Sequence, residues 1–253
     1  MDVAFRDKFT VLWKGYFNNA ELPITFYYTD EDRGPEAAKP GSIPRCIIGA
    51  LITVREGKSQ VIDVDSIGCS GGKKYCGFTD TVREDFEYFL SYGIPDKVRG
   101  ERYVQTPGMV KEIMEQSPAF KAPGRFMVFK RWDKLEVDDE PEVIIFFAPP
   151  DVLAGLFTLA RYDETDRNAI QAPFGSGCAT IIQYPYQERS TAHPRATLGM
   201  FDPSARPFVP KDILTLSVPA NKFVRMVNNM EESFLVTESW RKIQKRIPKQ
   251  NEN

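Results

Sequence analysis

The 253-residue chain has one histidine, His193, and no pair of closely spaced cysteines. His193 stands beside a proline in STAHPRA, a stretch that reads as surface loop. A lone histidine there cannot supply the base of a Ser-His-Asp or Cys-His pair, so hydrolase chemistry of that kind is disfavoured. Cys69 and Cys76 have six residues between them, wider than the usual zinc spacing, and ferredoxin-type spacings are absent. Long apolar runs are missing too. The longest, VIIFFAPPDVLAGLFTLA, is broken by Pro149, Pro150 and Asp151, which excludes a membrane span. MDVAFRDKFTVLWKG has no apolar core of a signal peptide, so a cytoplasmic protein is expected. Neither sign of charge dominates. With 33 basic and 35 acidic side chains the net charge is −2, giving no pull toward nucleic acid or an anionic membrane.

What is present is a chain heavily punctuated by 19 prolines and 17 glycines, yet 42% hydrophobic, enough for a substantial core. Two segments share one pattern: EVIIFFAPPDVLAGLFTLARY and ILTLSVPANKFVRMVNNMEESF each give a strand, a proline, then a helical run. PITFYYT with the later PRCIIGALITVREG is a looser third copy. Pro107, Pro150 and Pro219 are each expected in the first turn of a helix, where a missing N–H costs least. TPGMVKEIMEQS starts a helix at a Thr106 cap. TVREDFEYFLSYG carries a capping box, Thr81 with Glu84, an apolar stripe and Gly93 as a stop. RFMVFKRWD and RATLGMF read as strands; VIIFF, apolar on both sides, reads as central, and ITFYYT as half exposed. PRCIIGALITVREG could pair with VIDVD in a hairpin, but its apolar residues do not alternate, which favours a helix from near Pro44. The expected fold is α+β or α/β: one domain over 1–253, a mixed sheet with helices packed on it, and a disordered tail at 248–253.

The chemistry concentrates in glycine-rich turns holding cysteines. Cys46 falls at the start of the expected helix, where unpaired N–H groups favour a thiolate. Cys69 lies in Gly68-Cys69-Ser70-Gly71-Gly72, within DSIGCSGGKKYCGF (65–78), and Cys178 ends Phe174-Gly175-Ser176-Gly177-Cys178. Glycine there permits positive φ or a close approach of the backbone. The stretch 65–78 is expected to turn into a short helix capped by Ser70. In that arrangement Cys69 faces an internal pocket, Lys73 and Lys74 face water, and Cys178 approaches from elsewhere.

Three readings stay open for this constellation. Cys46, Cys69, Cys76 and Cys178 could hold a metal or an iron–sulfur cluster assembled from distant loops. The same glycine turns with Arg206 could take a small anionic molecule, although CSGGKKYCG lacks the order of a phosphate loop. Or the cysteines are buried small hydrophobes, the reading favoured for Cys76. Ser204 and Arg206, after an apolar strand, either line a ligand site at the strand's end or form a turn with an arginine salt bridge. The sequence specifies no reaction and no oligomeric state.

The blocks EPEVIIFFAPPDVLAGLFTLARYD, APFGSGCATIIQYPY, PRATLGMFDPSARPFVP and MEESFLVTESWRKI resemble a family known only as domain of unknown function 169, an uncharacterised archaeal conserved region. They cover nearly all of residues 125 to 243. The earlier part, Cys46 followed by an EGK turn and the Cys69 glycine run, is similar more loosely; Ser70 follows Cys69 where many members have proline. The resemblance implies that Cys46 and Cys69 are a related pair, and it implies no activity.

Overall fold

The structure is a computed structural model, and it describes residues 2–31, 39–43, 46–118 and 120–248. Pro44 and the tail beyond residue 248 lie outside the described residues, so the expectations placed there are untouched. The chain opens with α1 (Val3–Phe17), capped by Asp2, whose side chain accepts from Ala4 N at 3.0 Å. β1 (Ile24–Thr29), α2 (Ile47–Arg55), β2 (Gln60–Ile62) and α3 (Ser70–Tyr75) follow. An excursion then holds α4 (Phe86–Leu90), the small hairpin of β3 (Gly93–Ile94) and β4 (Val98–Arg99), and α5 (Pro107–Gln116). β5 (Phe126–Arg131), β6 (Val143–Ala148), α6 (Pro150–Arg161) and β7 (Ile170–Gln171) come next. A π-helical segment, Ala179–Gln183, runs into α7 (Tyr184–Glu188). β8 (Ala196–Gly199), β9 (Leu214–Pro219), α8 (Ala220–Asn229) and α9 (Glu238–Gln244) complete the chain.

Seven strands make one mixed sheet in the order β2-β5-β1-β6-β9-β8-β7, antiparallel except for the β7–β8 pair. This is an α+β fold. β6 sits in the middle with every residue buried. Ile144 and Phe146 face a core built with α1, α6, α8 and α9. Val143, Ile145 and Phe147 face a second core built with α2, the π-helical segment and Cys76. An apolar run with no alternation is what a strand covered on both faces needs. Cys46, Cys76 and Cys178 belong to the second face.

Several expectations are corrected. β1 is an inner strand buried at four of six positions, not half exposed, because β5 and β6 pair with its two edges. Thr25 is tolerated there since its hydroxyl donates to Lys130 O at 3.1 Å. The capping box at Thr81 does not form. α4 begins only at Phe86, after Asp85 adopts a left-handed backbone (φ 58) and pairs with Lys97 at 2.6 Å. Gly93 stands in the hairpin, not at a helix end. Pro107 and Pro150 do open their helices, whereas Pro219 is the last residue of β9, opposite Val143, and immediately precedes α8. Its extended backbone (ψ 140) keeps it one step short of the helix, and a strand end spares it the need for an N–H. Within PRCIIGALITVREG, Ile47–Arg55 is helical, and Gln60–Ile62, which takes in the start of VIDVD, enters the large sheet as β2.

Candidate functional site

A short pairing lies ahead of the first two cysteines in the chain. Ile43 and Ile67 form a parallel bridge: Ile43 N donates to Ser66 O at 2.9 Å, and Gly68 N to Ile43 O at 2.8 Å. A cysteine stands at the N-terminal cap position of each of the two helices that follow. Cys46 precedes α2 and Cys69 precedes α3. Cys69 Sγ accepts from Gly72 N at 3.4 Å, so the cap comes from the cysteine and not from Ser70. The two helix starts touch. A Cβ on Gly72 would stand 2.9 Å from Ile47 Cδ1, nearer than carbon atoms tolerate. Glycine is required at 72 because α2 packs there.

The third cysteine arrives by the same device. A Cβ on Gly177 would stand 2.7 Å from Ala205 Cβ and 3.2 Å from Ile48 Cγ1, so FGSGC lies directly on the first turn of α2. Buried Asp202 fixes that turn, accepting from Gly177 N at 3.0 Å and from Ser204 N and Oγ at 2.9 and 2.7 Å. Ser176 Oγ lies 3.4 Å from Cys178 Sγ and accepts from Ala179 N at 3.2 Å. Gly175 gives room to Tyr184, whose hydroxyl would be 2.6 Å from a Cβ. None of Gly68, Gly71, Gly72, Gly175 and Gly177 has positive φ. Close approach, not a left-handed backbone, is what places glycine at 72, 175 and 177.

The sulfurs share an electrostatic neighbourhood. Burial raises the Cys46 thiol, the N–H groups of Ile48 and Gly49 oppose this, and Cys69 and Asp202 add to it. Burial pushes Cys178 up to about 12; the Ser176 hydroxyl lowers it, and Cys69, Cys46 and Asp202 raise it further. Fully buried Cys76 is pushed well above the usual thiol range by desolvation, then by Cys178 and Cys69. These three are therefore held as thiols at neutral pH. Cys69 is the exposed member, against the expectation that it faces an internal pocket.

For the metal or iron–sulfur reading, no group of three or more His, Cys, Asp or Glu among the described residues is arranged to hold an ion. Arg206 is not directed at the cysteines. Its guanidinium donates to the carbonyls of Pro210, Lys211 and Ile213, and so ties down its own loop. Ser204 closes the turn on Asp202. The N–H groups of Gly72 and Gly177, which an anion would need, are already used by Cys69 and Asp202. His193 is exposed, 4.0 Å from Glu164. Two concavities, about 650 Å³ beside α9 and about 500 Å³ near Glu142 and Arg189, have no cysteine in their walls.

Sequence reasoning missed the supporting residues. Ser176 stood in the quoted FGSGC turn, but nothing in the sequence tied Asp202 to the Cys178 turn. Tyr103, between β4 and α5, packs edge-on to exposed Phe174 at 6.1 Å and meets Ser204. Met200, buried, takes a left-handed backbone (φ 71), a costly conformation for a side chain of its kind. It leaves Phe201 exposed while Asp202 turns inward.

Fold and site define an α+β protein with thiols gathered at the starts of three helical segments. Residues 16–229 match the family described as DUF169, Uncharacterised ArCR, and the chain belongs to it. No curated protein and no solved structure matches the chain. Among the described residues no helix is long and apolar enough to cross a membrane.

Proposed function

We propose that the chain, taken as one domain, is a cysteine-centred binding protein for a small molecule or cofactor, working in the reducing cytoplasm. Cys69 is the point of contact, and Cys46 and Cys178 back it. One observation carries this reading: three segments distant in sequence use glycine-enabled contacts to bring Cys46, Cys69 and Cys178 to the first turn of α2, with a single sulfur exposed. Packing alone would not call for a solvent-facing cysteine at a helix cap, since cysteine used as filler is buried. Cys76, fully enclosed, is such filler.

The test compares Cys69→Ser and Cys178→Ser with the unaltered chain for thiol reactivity, co-purified small molecules and melting temperature. Cys69→Ser is expected to remove the fast-reacting thiol and any bound molecule while keeping the fold. Variants that differ from the parent in stability alone would make these cysteines packing residues and remove the proposal.

A further inference from the structure

We infer that Cys46 and Cys69 form a dithiol couple that reduces small-molecule disulfides, with Cys69 attacking and Cys46 resolving. This rests on the cysteine-centred reading above and names the substrate class of that site. The argument is geometric. The parallel bridge between Ile43 and Ile67 sets two extended stretches side by side, the spacing of neighbouring strands being about 4.8 Å. Cys46 stands at the N-terminal cap of α2, next to Ile47, and Cys69 at that of α3, three residues before Gly72. Contact between Ile47 and Gly72 keeps the two helix starts together beyond the bridge. Cys69 is also among the groups that act on the Cys46 thiol, and a bridge between the two requires a Cα separation of about 4.4–6.8 Å.

The two sulfurs differ as the two roles require. Cys69 is exposed and can meet a disulfide in solution; Cys46 is half-buried, reached by Cys69 more readily than by an outside molecule. Neither large concavity is lined by a cysteine, which suits exchange at an exposed sulfur better than enclosure of a bulky cofactor. In the first step Cys69, having given its proton to solvent, attacks one sulfur of R–S–S–R. The S–S bond breaks, a mixed disulfide forms on Cys69, and one R–S⁻ leaves and takes up a proton. Cys46 then loses its proton to solvent and attacks the Cys69 sulfur, expelling the second thiol. The substrate gains two electrons and two protons, and the protein dithiol loses the same. The Cys46–Cys69 bridge returns to the dithiol by exchange with an excess of low-molecular-weight thiol.

The probe is bis(2-hydroxyethyl) disulfide, added to the full chain at mildly alkaline pH so that more of the Cys46 thiol can ionise, with products read by intact mass and peptide mapping. The parent chain is expected to release two equivalents of 2-mercaptoethanol and to yield a Cys46–Cys69 cross-linked peptide. Cys46→Ser, or Cys46→Ala if the serine variant folds poorly, is expected to stop at a mixed disulfide on Cys69. A lasting mixed disulfide on Cys69 of the parent chain would overturn the couple while leaving a reactive cysteine site standing. A bridge between Cys69 and Cys178 would overturn the choice of Cys46. An unreactive Cys69 would overturn both this couple and the reading on which it rests.

Discussion

Gly177 has to be a glycine because two fixed groups crowd the space its side chain would fill. Ala205 Cβ can retreat only with its backbone, and that backbone is held by the turn on Asp202. Gly177→Ala is therefore expected to cost about 1–3 kcal/mol, the range for overpacking, measured as a lowered urea midpoint. Gly108→Ala is the contrast. In the first turn of α5 the added carbon would meet nothing nearer than Thr106 Oγ1 at 3.8 Å. There the gain from a less flexible unfolded chain should prevail, at about 0.4–1 kcal/mol of stabilisation. Equal effects at the two positions would show that the Cys178 turn does not seat on α2.

Among the elements, α9 is the clearest case of a helix placed by one side chain. It is short, and short helices depend on packing more than on propensity. Trp240 is buried, donates its Nε1–H to Tyr16 O at 2.9 Å, and meets the rings of Phe17 and Phe234 edge-on. Gly155 of α6 opens the space it occupies, for a Cβ there would stand 2.8 Å from both Phe17 Cε1 and Trp240 Cζ3. Gly155→Ala should displace the indole and loosen α9 before the sheet is affected. Hydrogen exchange is the measurement: faster exchange confined to 238–244 is expected, and unchanged protection there would refute this account of the docking. α4 shows the opposite outcome. Its capping signal was correct in residue type, yet Asp85 broke the backbone between Thr81 and Phe86.

Across the whole molecule, buried thiols make stability fall in alkali. A thiol whose pKa is higher in the folded chain stays protonated where the unfolded chain has already ionised. The unfolded state then binds fewer protons, and stability declines as pH rises. For Cys178 the window runs from its ordinary value of 9.0 to about 12. Between neutrality and pH 10 this one group should remove about 1.4 kcal/mol. Cys76, shifted the same way, steepens the decline. Urea midpoints at pH 8 and pH 10 would measure it, and Cys178→Ala should reduce the pH dependence. A midpoint unchanged between those pH values would mean that neither thiol is buried in the native state.

Elements with strong periodicity were legible in the sequence alone. β6 announced itself as a central strand by its unbroken apolar run, and Pro107 and Pro150 marked their helix starts, because such signals depend on near neighbours along the chain. Membership of the cysteines in glycine-rich turns was legible for the same reason. Which sulfur faces water was not, since exposure depends on what packs above a turn: Cys69 is open and Cys178 closed although both follow glycine. Nor could the sequence show that Arg206 spends its donors on three backbone carbonyls, or that Asp202 serves the Cys178 turn. Those outcomes belong to contacts between segments far apart in the chain, which only folding brings within hydrogen-bonding distance.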